Sequence, residues 1–160
     1  MSDRSSADST SHAARCRALV TSARAATLAT LSRDPAGFPF GSLVTVAADD
    51  HGRPLLLLSR LAEHTRNLGH APEASLLFVE PGAPGATPLA AARVTVLGPC
   101  RPVPEVDREA ARAAFLAAHE DAAEYAAFAD FAFYRLEPVA LRYVGGFGRM
   151  SWVDAGEYLG

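Results

Sequence analysis

Four consecutive leucines, residues 55–58, constrain this chain more than any other feature. They follow the turn signal His51-Gly52-Arg53-Pro54, and a short unbroken apolar run bounded by turn residues reads as a buried strand. Directly after it comes Ser59-Arg60-Leu61-Ala62-Glu63-His64-Thr65-Arg66-Asn67-Leu68. Ser59 has the chemistry of an N-cap, and Leu61, His64, Thr65 and Leu68 recur at the spacing of one helix face. Gly69 and then Pro72 are stop signals. A buried strand therefore delivers a short helix whose first turn is rich in hydroxyl, imidazole and guanidinium groups. Helix N-termini carry unsatisfied N–H groups and a partial positive charge, so this junction is a candidate anion site. The plain alternative is a surface helix with Arg60, Glu63 and Arg66 in water.

The flanking sequence reads mostly as strands. Residues 1–11 are rich in Ser and Asp and are expected to be a mobile tail. His12, Cys16, Leu19 and Val20 predict an amphipathic helix over 11–23. Strands are predicted over 26–31, 38–48, 55–58, 74–79, 93–98, 130–137 and 139–144, with Asp49-Asp50-His51-Gly52 as a hairpin turn. Residues 81–88 hold three prolines and two glycines and form a loop. A helix is predicted from Pro104 to about residue 118, and a shorter one over 121–128. Strands separated by short helices point to an antiparallel barrel with helical additions rather than a doubly wound sheet.

Composition narrows the functions. At 160 residues with a formal charge of −3, the chain matches a single ordinary soluble domain rather than a nucleic-acid binder. No apolar run is long enough to span a bilayer, so neither a membrane nor a nucleic acid is expected as a partner. Cys16 and Cys100 lie in no metal or redox spacing, which fits a reduced, cytoplasmic chain. The sequence contains no lysine. That excludes Schiff-base chemistry on a protein lysine and a P-loop, whose motif ends in Gly-Lys-Ser/Thr.

Other motifs are weaker. His64 and His70 are not at the four-residue spacing of two ligands on one helix face, and no metal site is expected. Gly41-Ser42-Leu43 fails as a nucleophile elbow at Val44. Gly145-Gly146-Phe147-Gly148 is not the dinucleotide fingerprint; it reads as a tight turn, or as backbone that can approach a flat ring closely.

Residues 59–68, with Gly41-Ser42-Leu43-Val44 before them and Gly145-Gly146-Phe147-Gly148-Arg149 near the end, resemble one flavoprotein family. It is the FMN-binding split β-barrels related to pyridoxamine 5'-phosphate oxidase, and within them the haem-utilisation branch. The resemblance runs from about Ala14 to the C-terminus. It implies a mainly β (α+β) fold: a split β-barrel of about six strands with peripheral helices, one domain over residues 12–160. It implies FMN as cofactor, with Ser59, His64, Thr65 and Asn67 beside it and Arg66 as a phosphate partner. Ser42 and Arg93 fall on the strands that approach the cofactor. In a homodimer, Phe147, Gly148 and Arg149 would complete the partner's site. Many relatives place a lysine near the phosphate; here His64 or an arginine must supply the charge.

The function implied first is an FMN-dependent oxidoreductase using the flavin's own hydride or electron transfer, with no protein general base named. Two alternatives stand beside it: a haem-degrading or haem-binding protein, and a non-enzymatic dimeric flavin- or partner-binding module. Longer members carry a further C-terminal domain, whose contacts are not expected in a sequence ending at Gly160.

Overall fold

The structure, a computed structural model, describes the backbone of residues 4–160 and side chains from residue 12 onward. Helix α1 (Arg4–Ser22) leads into β1 (Ala25–Leu31), β2 (Pro39–Thr45), the two-residue β3 (Ala47–Ala48) and β4 (Pro54–Ser59). Then come α2 (Glu63–His70), β5 (Glu73–Val79), β6 (Arg93–Pro102), α3 (Arg108–Ala118) and α4 (Ala123–Ala126). The chain closes with β7 (Phe131–Leu136), β8 (Ala140–Val144), β9 (Met150–Asp154) and α5 (Ala155–Leu159).

All strand pairings are antiparallel, and they form two connected halves. One half runs β2-β1-β5-β6-β8-β9 and the other β6-β7-β4-β3. Two stretches pass between halves. The single strand expected over 38–48 breaks at Val46, whose N–H donates to the Arg24 carbonyl and whose carbonyl lies 2.7 Å from His119 Nε2. With those groups bonded elsewhere, β2 stays on β1 while β3 turns to β4. β6 instead stays continuous, pairing with β8 through Leu97 and with β7 from Cys100. At the changeover, a Cβ on Gly98 would overlap the Glu137 carbonyl, so only glycine lets the returning chain cross there. The division at Val46 and the unassigned β9 raise the seven strands predicted individually to nine among the described residues, against the six or so that the family resemblance implied.

The leucine run explains the layering. Leu56 and Leu58 point into the barrel core, with Cys16 and Val20 of α1, Leu28, Leu76, Val96 and Leu141. Leu55 and Leu57 point the other way, to a second core with Ala111 and Phe115 of α3 and Phe133 of β7. The predicted face of α1 is the buried one: His12, Cys16 and Val20 are inside and Leu19 packs against them. The helix begins at Arg4, however, not near residue 11, so the tail expected over 1–11 has helical backbone from there. Residues 1–3 lie outside the described residues. Burial pushes both thiols, Cys16 and Cys100, up to about 12, so neither is a reactive thiolate. Among the described residues, no helix is long and apolar enough to cross a membrane.

Among the described residues, one face of the larger half-sheet has no covering layer. Across it the register aligns Leu43, Thr27, Leu77, Thr95, Arg142 and Trp152 in one row. Leu43 is 80% exposed and Trp152 62%, with the Arg142 guanidinium 5.5 Å from the Trp152 ring.

Candidate functional site

Where β4 ends, Ser59 does not cap the helix. Its hydroxyl accepts from the Leu61 N–H at 3.2 Å and donates to Asp130 at 3.1 Å, and the helix starts only at Glu63. The N-cap is Ala62, whose side chain can accept nothing, so α2 opens with uncapped N–H groups. Nor does Gly69 stop the helix, which continues to His70 because nothing in that turn requires a left-handed residue.

Three polar side chains of α2 turn inward, beside the buried Leu68. Asn67, fully buried, accepts from the Arg33 N–H and donates to Thr30 Oγ1, both at 3.0 Å, and so ties α2 to β1 and its turn. His64 Nδ1 lies 3.1 Å from Ser42 Oγ on β2, and burial lowers the pKa of its imidazole. Thr65 Oγ1 is buried and, among the described residues, has no hydrogen-bond partner. A buried hydroxyl left without a partner costs about 1–3 kcal/mol, so it marks a place where a polar ligand atom would be accepted. Arg66 points outward, 4.0 Å from the exposed Glu63. Ser42, His64, Thr65 and Asn67 thus come together, Ser59 lies at the edge, and Arg66 does not join them.

The remaining predicted residues sit elsewhere. Ser42 aligns through Leu28, Leu76 and Val96 with Leu141 on β8, four strand spacings away at roughly 4.8 Å each. Beyond β8, residues 145–149 form a tight hairpin turn: Gly145 N–H donates to the Arg149 carbonyl at 2.7 Å, with Gly146 and Gly148 at φ +101° and +75°. Phe147 is exposed at the tip. Arg93 pairs with Val144 and donates to the Leu89 and Ala91 carbonyls at 3.1 Å, bracing the loop before β6. Within one chain, Arg93, Phe147, Gly148 and Arg149 therefore do not meet the α2 cluster.

Of these, Arg149 borders something the sequence did not disclose. A groove of about 900 Å³ opens between the C-terminal half of α1, the end of β5 and the β8–β9 hairpin. Its rim carries Arg15, Arg24 and Arg149, with Glu80 the lone acid, and its walls are largely Ala, Leu, Val and Pro side chains. The three arginines belong to α1, the α1–β1 turn and the hairpin, so nothing in their sequence spacing brings them together. Among the described residues no cluster of His, Cys, Asp and Glu could hold a metal ion.

The family profile described as "CREG, beta-barrel" matches residues 7–160, almost the whole chain. The chain belongs to the CREG β-barrel family. Over 131 residues it is 37% identical to the non-canonical heme oxygenase HOZ, chloroplastic, of Arabidopsis thaliana, covering 82% of this chain and 39% of that protein. It therefore spans well under half the length of that curated relative. A heme-binding protein of Mycobacterium smegmatis superposes with a TM-score of 0.83 at 39% identity, over 94% of this chain and 60% of the other. An FAD-binding protein of Mesorhizobium loti superposes with a TM-score of 0.64 at 18% identity, over 81% and 89% of the two chains, a likeness of fold alone. The split barrel that the motifs implied is the fold found. Within it, this CREG β-barrel chain has both haem-binding and flavin-binding neighbours.

Proposed function

We propose that this CREG β-barrel protein binds haem, on a scaffold shared with the flavin barrels related to pyridoxamine 5'-phosphate oxidase and within their haem-utilisation branch. The supporting observation is the order of the relatives. Those at 37% and 39% identity are a heme oxygenase and a heme-binding protein, whereas the flavin-binding neighbour shares 18%. This puts haem ahead of the FMN-dependent oxidoreductase that the motif resemblance ranked first. The test is titration of the purified protein with haem, followed by addition of a reductant. Saturable binding with a shifted Soret band is expected. Loss of that band under reductant would add turnover to binding, and an unshifted, non-saturating spectrum would overturn the reading.

FMN remains a second reading because of one observation, the partnerless Thr65 Oγ1 beside the uncapped start of α2. The first-turn N–H groups and the Thr65 hydroxyl fit a phosphate, and FMN bound there would supply hydride or electron transfer. His64, kept neutral by burial, offers a hydrogen bond rather than a charge. Fluorescence titration with FMN and riboflavin separates the cases: FMN should bind more tightly, and equal affinities would remove the phosphate site.

We further propose a homodimer. The uncovered row from Leu43 to Trp152 supports it better than the Ala-rich segment 104–118, whose Ala111 and Phe115 are used inside the chain. Light scattering should give twice the chain mass, and Trp152→Glu should shift it toward one.

A further inference from the structure

We infer that the arginine-rimmed groove between α1, β5 and the β8–β9 hairpin is the seat of a tetrapyrrole, whose carboxylates Arg24 and Arg149 hold; this rests on the haem-binding reading above. Sign, surface and size each limit the occupant. Arg24 and Arg149 face one carboxylate, Glu80, in the groove lining, a local positive excess on a chain whose formal net charge is −3. Neither Arg24 nor Arg149 forms an ion pair among the described residues, so both forks are available to an anion.

The walls argue against a small or strongly polar ligand. Apart from the hydroxyls of Ser22 and Tyr143, the lining between the charged residues is Ala, Leu, Val, Pro and Gly, which offers a sugar or nucleotide few side-chain hydrogen-bond partners. At about 900 Å³ the groove is far larger than a free phosphate, and lies within the roughly 300–1,000 Å³ typical of organic-ligand sites. A large apolar body with a few anionic tips is the remaining chemistry. A tetrapyrrole with two carboxylates has that form, whether it is haem, the iron-free ring or the opened chain.

Glycine and tyrosine shape the floor. A Cβ on Gly145 would lie 2.5 Å from the Tyr143 hydroxyl, so glycine at 145 leaves the phenol its place in the groove. Behind the ring, His12 packs tilted by 43° with the ring centroids 4.7 Å apart, and its Nδ1 lies 2.6 Å from Ser151 Oγ. A smaller recess of about 410 Å³ continues under the hairpin and shares Arg15 and Arg149 with the groove.

The experiment compares haem, iron-free protoporphyrin, its dimethyl ester and biliverdin against the wild type and an Arg24→Glu/Arg149→Glu variant. Soret absorbance and quenching of Trp152, the only tryptophan, are the readouts. Wild type should bind haem and iron-free protoporphyrin within a few-fold of one another, and the diester at least tenfold more weakly. The double reversal should cost tenfold or more for both carboxylate ligands and remove most of the salt dependence of binding. An Arg24→Lys/Arg149→Lys variant should recover most of the affinity, and Ala18→Trp should block the groove without touching a charge. Haem binding that ignores the double reversal and Ala18→Trp would overturn the groove while leaving the haem reading intact. Binding of haem but not of the iron-free ring would overturn it too, placing affinity at an iron ligand. No saturable binding of any tetrapyrrole would overturn both.

Discussion

The α2 junction and the arginine groove divide between them what one site was expected to do. At the junction, polar groups are packed and mostly bonded: Asn67 links two segments, His64 meets Ser42, and among the described residues Thr65 Oγ1 is the buried side-chain atom left without a partner. At the groove, charged groups stand at the rim of an open, mostly apolar space. The first has the rigidity and size to suit a phosphate; the second has the room for a macrocycle. Bonded polar groups specify structure, and unbonded ones beside space are available to ligands.

The largest effect that would test this contrast comes from Asn67→Ala. Removing that amide leaves the Arg33 N–H and Thr30 Oγ1 without a partner, and the expected loss is about 2–4 kcal/mol in denaturant unfolding. A neutral result would mean the junction is less constrained than its bonds imply. Thr65→Val should act with the opposite sign, since it replaces an unsatisfied hydroxyl by a methyl of similar shape. Stability should rise by up to about 1 kcal/mol, while any preference for FMN over riboflavin falls roughly tenfold.

A smaller effect is set by pH. Burial holds the His64 pKa below its ordinary 6.5, so below 6.5 the unfolded chain takes a proton that the folded chain resists. The stability this group contributes is complete above pH 6.5 and declines as the pH falls toward the lowered folded value. His64→Gln should flatten that part of the profile in thermal melts from pH 7.5 to 5.5. Smallest of all, Arg24→Ser and Arg149→Ser should each change stability by no more than about 0.5 kcal/mol, because neither side chain forms an ion pair among the described residues. A loss above that would make them structural.

What the sequence disclosed follows the same division. Most strands, the buried face of α1 and the inward turn of His64, Thr65 and Leu68 were legible because periodicity encodes them. Leu61, expected on the same face, is exposed because it precedes the helix, and Asn67 was implied only by the family resemblance. Val46 was not: its break arises from bonds to Arg24 and His119, which spacing within residues 38–48 does not reveal. Ser59 was misread as a cap because a hydroxyl serves a tight turn as readily as a helix start, and Asp130, its actual partner, comes from the distant turn that leads into β7. Arg149 belongs to a recognisable glycine turn, yet Arg15 and Arg24 join it only through the curl of the sheet.

β4 has a final consequence. Its leucines alternate between two cores, and it is hydrogen-bonded on one edge to β3 and on the other to β7. Melting of α3 alone would bare Leu55 and Leu57 on a strand whose opposite side still anchors the barrel. The two cores therefore have no seam along which to part, and local opening of one is coupled to opening of the other. Hydrogen exchange should find the amides of residues 55–58 exchanging only with global unfolding, and α2, launched from the end of that strand, inherits a fixed base.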